Sequence, residues 1–462
     1  MKRTTSSTLN QESGRGWGKS LRGRVPRSSH GGWTPSAERP DPVDVITSQN
    51  VSRLQWLVPI RHWRMSQSPF AFYRGGAKLM ALDLATTPMT GITAQICGDA
   101  HLANFGVYGS PERKLIFDVN DFDETLPGPW EWDVKRLVAS FAIAARHLGL
   151  EEHQDALAAE AAGSYRTAIA SFASMRYLDA WYAHVAMKDI RKAFADQQTK
   201  RERKKRKKFA KRARTKDSLH ALSKLAAKVD GVYRIVAQPP LLIPFRDIPR
   251  GEDGDETWTA AQVELGDYLD SVPDDLEALL KRFTLVDGGI KVVGVGSVGT
   301  RCWILLFEGR DDADPFFLQI KEATRSVLED HLPPSRYPHH GQRVVEGQRL
   351  MQAVSDSFLG WMKGQDTGDH YYVRQLKDMK GSPDLEKASP NSLRRFAKLC
   401  GWTLARAHAR SGDAEAIAGY LGSGDVFDKA LADFAVAYAD QNERDFAAFT
   451  AAIDSGRIEA HE

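Results

Sequence analysis

GDAHLANFGVYGSPERKLIFDVNDFDE, residues Gly98 to Glu124, gathers Asp99, His101 and Asn104 into one tight loop, then places Asp121 and Asp123 after two short apolar runs. Phe105–Tyr108 and Leu115–Val119 flank the polar GSPERK, which predicts a short hairpin. A carboxylate, an amide five residues on, and a second carboxylate at the end of the next strand form the donor set that phosphoryl transfer from a metal–nucleotide complex requires. One carboxylate receives or orients the proton of the acceptor hydroxyl, while the amide oxygen and the other carboxylate hold Mg²⁺ against the phosphates. Asp99 is therefore the expected base. His101 joins it in the catalytic loop, either in the chemistry or by orienting the loop. Asn104 and Asp121 are the expected metal ligands, with Asp123 as a further ligand or a hydrogen-bond acceptor.

A second constellation lies far downstream. VVGVGSVGTR, Val292–Arg301, holds Gly294, Gly296 and Gly299 in a G-x-G-x-x-G arrangement. The residues that follow, CWILLF, are too apolar for a surface helix. The loop therefore joins two strands and is not the strand-to-helix turn of a dinucleotide fold. Glycines let backbone N–H groups approach phosphates without a Cβ in the way. Gly294, Gly296, Ser297, Gly299 and Arg301 are accordingly read as nucleotide-binding. The run Phe316–Ile320 ends in Lys321, from which an ammonium can reach the α- and β-phosphates. Glu346 in the next helix is the expected carboxylate partner of Lys321. Leu376–Asp378, after the strand YYVRQ, fall where a nucleotide base would be contacted.

Composition narrows the rest. The 462 residues suffice for two or three packed units, and 42% hydrophobic content is that of a globular protein. No apolar run reaches the roughly 18 residues of a membrane span, and the first 40 residues lack the apolar core of a signal peptide. A cytoplasmic location and no membrane partner are expected. Cys97, Cys302 and Cys400 form no close-spaced metal pair and read as buried thiols. The net charge of +3 is unevenly distributed. Residues 1–40 contribute +6 and the run KRERKKRKKFAKRARTK, Lys200–Lys216, contributes +11, which leaves −14 for the remainder. Basic appendages on an acidic body do not match a dedicated DNA reader, whose cations cover a folded face. The basic run, with only Phe209 interleaved, is expected to be a solvated helix or loop.

Patterning divides the chain into a mobile basic arm (1–45), a helical lobe bearing the catalytic and metal loops (46–250), a β-rich nucleotide-binding lobe (251–385) and C-terminal helices that complete the helical lobe (386–462). A helix is expected near Thr257–Lys281, followed by separate strands at FTLV and IKVVGVG.

These pieces together resemble the protein-kinase-like superfamily in its aminoglycoside/choline phosphotransferase branch. That branch carries G-D-x-H-x-x-N, here Gly98, Asp99, His101 and Asn104, and a metal-binding Asp in the setting found at Asp121-Phe122-Asp123. The resemblance implies that Asp133, in WEWDVKRL, braces the catalytic loop through its backbone. The strings SPFAFYRG, CGDAHLANFG, NDFDET, PGPWEWDVKRL, GVGSVGTR and LARAHARSGD also resemble the bacterial family called domain of unknown function 2252. In a kinase the glycine loop and lysine precede the catalytic loop, whereas here they follow it by about 200 residues. The implied fold is therefore α+β and bilobal, with a small antiparallel β-rich lobe inserted in a larger helical one in circularly permuted order. The implied activity is ATP- and Mg²⁺-dependent phosphotransfer to a hydroxyl of a small molecule. Nucleotidyl transfer to a protein, or a non-catalytic nucleotide-binding module that recruits RNA or another polyanion through Lys200–Lys216, are the alternatives.

Overall fold

The computed structural model describes residues 14–186, 188, 190, 200–248, 265–292, 294–311, 313–364, 368–376 and 379–462. Five helices open this part of the chain: α1 (Gly14–Ser20), α2 (Pro42–Ser48), α3 (Val58–Ser66), α4 (Pro69–Gly75) and α5 (Ala77–Leu84). Then come β1 (Thr93–Ile96), the hairpin β2 (Phe105–Gly109) and β3 (Leu115–Val119), and β4 (Leu126–Pro129). Helices α6 (Trp130–His147), α7 (Gln154–Phe172) and α8 (Tyr177–Tyr182) lead to β5 (Val185–Ala186). Helices α9 (Lys200–Arg214) and α10 (Ser218–Leu225) precede β6 (Ala226–Val229), β7 (Val232–Ile235) and β8 (Leu242–Pro244). After α11 (Asp274–Leu280) run β9 (Thr284–Lys291), β10 (Cys302–Glu308) and β11 (Pro315–Glu322). Helix α12 (His340–Met351), β12 (Gly360–Lys363) and β13 (His370–Gln375) follow, and α13 (Pro390–Ser411), α14 (Ala414–Leu421) and α15 (Val426–Asp454) close the chain.

The architecture is α+β with antiparallel sheets. The largest apolar core gathers residues of α6, α7, α13 and α15, and α7 packs against the other three. Helix α6 is buried along nearly its whole length, including Glu131, Asp133, Lys135 and Arg136. Charged groups at such depth are costly without partners: Glu131 accepts from Thr90, Asp133 from the N–H groups of Cys97 and Gly98, and Arg136 donates to Asp99, while Lys135 Nζ lies 5.3 Å from the centroid of the Phe434 ring. A six-stranded antiparallel sheet runs β8-β9-β10-β11-β13-β12. It has its own core, built from Tyr268, Trp303, Leu305, Leu318, Ile320 and Val373 among others. Among the described residues no helix is long and apolar enough to cross a membrane.

Several boundaries differ from the sequence-based expectation. The arm is helical from Gly14 and packed on α14, so closely that a Cβ on Gly18 would lie 1.9 Å from the Ala416 carbonyl oxygen. Its arginines have a structural use. Arg22 donates to the carbonyls of Tyr420 and Gly419, and Arg27 to that of Leu421. Cations thus satisfy the last carbonyls of α14 at the negative end of its dipole. Residues 1–13 lie outside the described part. The β-rich unit starts before residue 251, because β8 already belongs to its sheet. Thr284–Val286 and Ile290–Lys291 belong not to two strands but to the single β9, running through Asp287-Gly288-Gly289. D-G-G reads as a turn, yet these glycines are required inside the strand. A Cβ on Gly288 would lie 2.4 Å from the Phe245 ring, and one on Gly289 2.8 Å from the Ile243 carbonyl oxygen. Of the helix expected at Thr257–Lys281, the described portion includes α11; residues 249–264 lie outside it.

Candidate active site

Two pairings bring the Gly98 loop and the Asp121 segment together. Ile96 at the end of β1 faces Leu126 at the start of β4, and Phe105 at the start of β2 faces Val119 at the end of β3. The two connecting segments therefore emerge side by side, and the Asn120 N–H donates to the Asn104 carbonyl at 2.8 Å. Gly98 has φ +78°, and a Cβ there would lie 2.8 Å from the Glu124 carbonyl oxygen. Only glycine fits that turn and that approach.

The loop is held from α6. The Asp133 carboxylate accepts from the backbone N–H groups of Cys97 (2.8 Å) and Gly98 (2.9 Å), and Ser140 Oγ accepts from Leu102 N–H. Arg136 Nε donates to Asp99 Oδ1 at 2.8 Å, while its Nη2 holds the Tyr73 carbonyl. Burial works to raise the Asp99 pKa, but the Arg136 guanidinium outweighs it and holds the carboxyl below its ordinary value. Asn104 Nδ2 donates to the Asp99 carbonyl at 2.7 Å. His101 is 3% exposed, with Nε2 3.6 Å from Asp99 Oδ2, and burial lowers its pKa to about 3. An enclosed neutral ring beside Asp99 is placed to orient that loop, one of the two roles expected of it.

The distant constellation converges on Asp123. Lys321 Nζ lies 2.6 Å from Asp123 Oδ2, Tyr372 OH donates to Oδ1 at 2.7 Å, and Ser297 Oγ of the glycine loop lies 3.4 Å from Oδ2. The sheet register explains the first two contacts, because Lys321 of β11 is paired with Tyr372 of β13. Lys321 lifts the charge balance in favour of ionised Asp123 despite burial, and Asp123 in turn raises the Lys321 pKa.

Glu346 does not take part in this arrangement. It pairs with Arg349 one turn along α12, at 3.1 Å and partly exposed. The residue of α12 that reaches the site is Arg343, which donates to the carbonyls of Asp123, Thr125 and Thr324. Lys321 is paired with Asp123 instead. Arg301 is likewise engaged elsewhere. Its backbone N–H and guanidinium both bind Glu322, and Asp369 lies 3.7 Å away.

The glycine loop is fastened to the helical body. Arg64 donates to the Gly294 carbonyl, Arg53 to that of Val298, and Leu54 N–H to that of Gly299. Val298 is fully buried against Leu57, Ile60 and Val292. Gly294 (φ +68°) and Gly299 (φ +92°) adopt backbone conformations that favour glycine. Gly296 runs close to Arg74, whose carbonyl would lie 3.4 Å from a Cβ at that position.

Asp121 contrasts with its neighbours. It accepts from Asp123 N–H at 3.3 Å. Among the described residues it forms no ion pair. Burial raises its pKa, and the Asp123 charge raises it further. Among the described residues no cluster of three or more His, Cys, Asp or Glu is arranged around a metal position. The donors fit Mg²⁺ nonetheless, since that ion usually takes one or two protein carboxylates and fills its shell with water and phosphate oxygens. Asn104 spends its amide N–H₂ on Asp99, so its oxygen remains as an acceptor, and the half-buried Asp121 carboxylate, with no ion pair among the described residues, calls for positive charge.

Sequence reasoning missed Arg136, Arg343, Tyr372 and Arg374. Tyr372 and Arg374 alternate on β13 opposite Lys321 and Gln319, and Arg374 Nε donates to Gln319 Oε1. That alternation within YYVRQ is the signal that could have revealed them. Arg343 left none, because its acceptors are backbone carbonyls. Leu376 is buried, while Lys377 and Asp378 lie outside the described residues.

The chain belongs to the family described as an uncharacterised protein conserved in bacteria (DUF2252), whose pattern it matches over residues 53–452. No curated protein and no solved structure matches it.

Proposed function

We propose that the protein is an ATP- and Mg²⁺-dependent phosphotransferase of kinase-like, permuted fold, acting on a hydroxyl of a small-molecule acceptor. The observation that carries this reading is the meeting of Lys321 and Ser297 with Asp123, beside Asp121, Asn104 and Asp99, across about 200 residues of chain. The order strand, glycine loop, strand, lysine-bearing strand, helix along β9, β10, β11 and α12 also supports it.

In this reading Asn104 and Asp121 would hold Mg²⁺, which would neutralise charge on the phosphates. Lys321 would exchange Asp123 for phosphate oxygens, and Ser297 with the backbone of Gly294–Gly299 would contact the same phosphates. Asp99, kept ionised by Arg136, would accept a hydrogen bond from the acceptor hydroxyl and orient it. A weak base suffices, since a loose transition state needs little proton removal before the bond to phosphorus forms. The work would be positioning and charge neutralisation.

The test is turnover of γ-labelled ATP by purified protein with a pooled metabolite extract, with product masses recorded, alongside Asp121→Ala. The expected result is a phosphate adduct with wild type, and loss of Mg²⁺-dependent nucleotide binding in the variant by calorimetry. A nucleotide-sized adduct would replace phosphotransfer with nucleotidyl transfer. Unchanged Mg–ATP affinity in Asp121→Ala would remove Asp121 from the metal site.

A further inference from the structure

Between α7 and the six-stranded sheet, the chain carries two unusual surfaces. The first is α8 with the turn before it. Met175, Tyr177, Leu178, Trp181 and Tyr182 are 41%, 91%, 67%, 42% and 70% exposed. Positions 177, 178, 181 and 182 share one side of a helix, so these chains form an apolar surface left open to solvent. The second is α9. Phe209 and Ala213 turn inward, with Ala213 fully covered and Phe209 packed at Gly381. The Lys216 carbonyl accepts from Met379 N–H just past the helix end. With that side fixed, helical spacing carries Lys204, Lys207, Lys211 and Arg214 to the opposite side, and Lys208 and Arg212 flank them; all six are exposed. The run Lys200–Lys216 contains a single acid.

Both surfaces are anchored on one small sheet. β5, two residues beyond α8, pairs with β3, and α9 lies against β2 through the Val107–Gly381 bridge that Phe209 covers. Exposed tyrosine, tryptophan and leucine next to a strongly cationic helix have the composition of a membrane-surface element. The apolar chains enter the headgroup boundary and the lysines offset lipid phosphates. A nucleic acid is the poorer match. The one aromatic ring in α9 faces the protein, and the Trp181 ring of α8 already carries the Arg410 guanidinium 3.7 Å from its centroid, which leaves only Tyr177 and Tyr182 of this surface as open rings on which a base could stack.

We propose that α8 and α9 together form a docking surface for an anionic lipid bilayer, so that the protein binds peripherally to membranes carrying acidic headgroups. On this proposal the protein would have a membrane partner, contrary to the expectation drawn from the sequence.

The test is co-sedimentation of the full chain with phosphatidylserine/phosphatidylcholine vesicles and with pure phosphatidylcholine vesicles. Expected are binding to the former alone, weakening with added salt, and a fall of about tenfold or more in Lys204→Glu/Lys207→Glu/Lys211→Glu. A second variant, Leu178→Ser/Tyr182→Ser, should lose the part of binding that survives high salt. Urea melts of both variants should match wild type, because every altered side chain is exposed. Failure to bind acidic vesicles, or binding unaffected by both variants, would overturn the proposal. So would displacement from acidic vesicles by a single-stranded RNA oligonucleotide that binds more tightly, and that outcome would assign the surface to nucleic acid.

Discussion

Asp99 and Asp123 each meet a buried cation, but in regions built differently. Asp99 and Arg136 are 37 residues apart and both belong to the helical body. Arg136 is also committed to the Tyr73 carbonyl and lies 3.8 Å from the centroid of the Tyr73 ring. That pair cannot part without repacking α6. Asp123 and Lys321 are 198 residues apart and join the helical body to the sheet. Lys321 is 3% exposed at its side chain and Asp123 29%, so the carboxylate is reachable from solvent. Under the proposed function an incoming phosphate would compete for Lys321, whereas Arg136 is held by Tyr73 as well as by Asp99. On that reading the first region would be a fixed mount and the second a latch that a ligand would open.

The largest test of this contrast is kinetic. Asp99→Asn should lower single-turnover phosphotransfer by roughly 10²–10⁴-fold, the usual worth of a group acting on the transferred proton. Nucleotide affinity should change less than about threefold, because that group acts in the transition state. A loss smaller than tenfold in rate would take Asp99 out of the base role.

Next comes stability by urea unfolding. Arg136→Met should cost about 3–5 kcal/mol, the penalty for leaving one member of an enclosed pair uncompensated. Lys321→Met should cost less, about 2–3 kcal/mol, since Asp123 keeps Tyr372 and part of its solvent contact. Adding Asp123→Asn to Lys321→Met should recover much of that loss. Equal costs for the two single variants would break the distinction between mount and latch.

Glu124, next to the latch, gives a pH signature. Its carboxylate accepts from Ser326 Oγ and Val327 N–H, and burial pushes its pKa from 4.5 to about 7. A raised carboxyl pKa means that the folded state holds a proton which the unfolded state releases. Its contribution is complete below about pH 4.5 and is lost as pH rises through about 7. The shift has a ceiling of about 3 kcal/mol, and partial solvent contact reduces this to about 1–2 kcal/mol. Glu124→Gln should flatten the decline in stability between pH 5 and pH 8, taken as a span of about three units around that titration. An unchanged slope would place the titrating group elsewhere.

The smallest effect should come from Glu346→Gln. A partly exposed pair with Arg349 is worth about 0.5 kcal/mol or less. Turnover should stay within about twofold of wild type, since an exposed pair outside the site adds little. A large drop in activity would restore Glu346 as the partner of Lys321 in a closed state.

Legibility in the sequence followed the range of each contact. The Gly98 loop, the β2–β3 hairpin and Lys321 at a strand end could all be read, because turn chemistry, alternation and short spacing are local properties. The D-G-G segment misled, because its glycines answer to Phe245 and Ile243 and not to a turn. Glu346 misled because helical spacing gives the side of a helix but not which side faces inward. The basic arm misled because composition cannot show that Arg22 and Arg27 would find the open carbonyls of α14, about 400 residues later.

By itself, the sequence determined the chemical inventory: two carboxylate-bearing segments, a glycine loop between strands, a lysine at a strand end and a segregated cationic run. Each is set by neighbours within about ten residues, where backbone geometry and side-chain period leave few choices. Only the tertiary structure decided which charges meet. Asp123 and not Glu346 takes Lys321, Arg343 supports the loop through backbone carbonyls, and Arg136 commits Asp99 to the ionised form. These pairings depend on strand register and on how helices are rotated in the core. Buried charges accept whichever partner packing brings within hydrogen-bond distance, at a separation along the chain that no local pattern encodes.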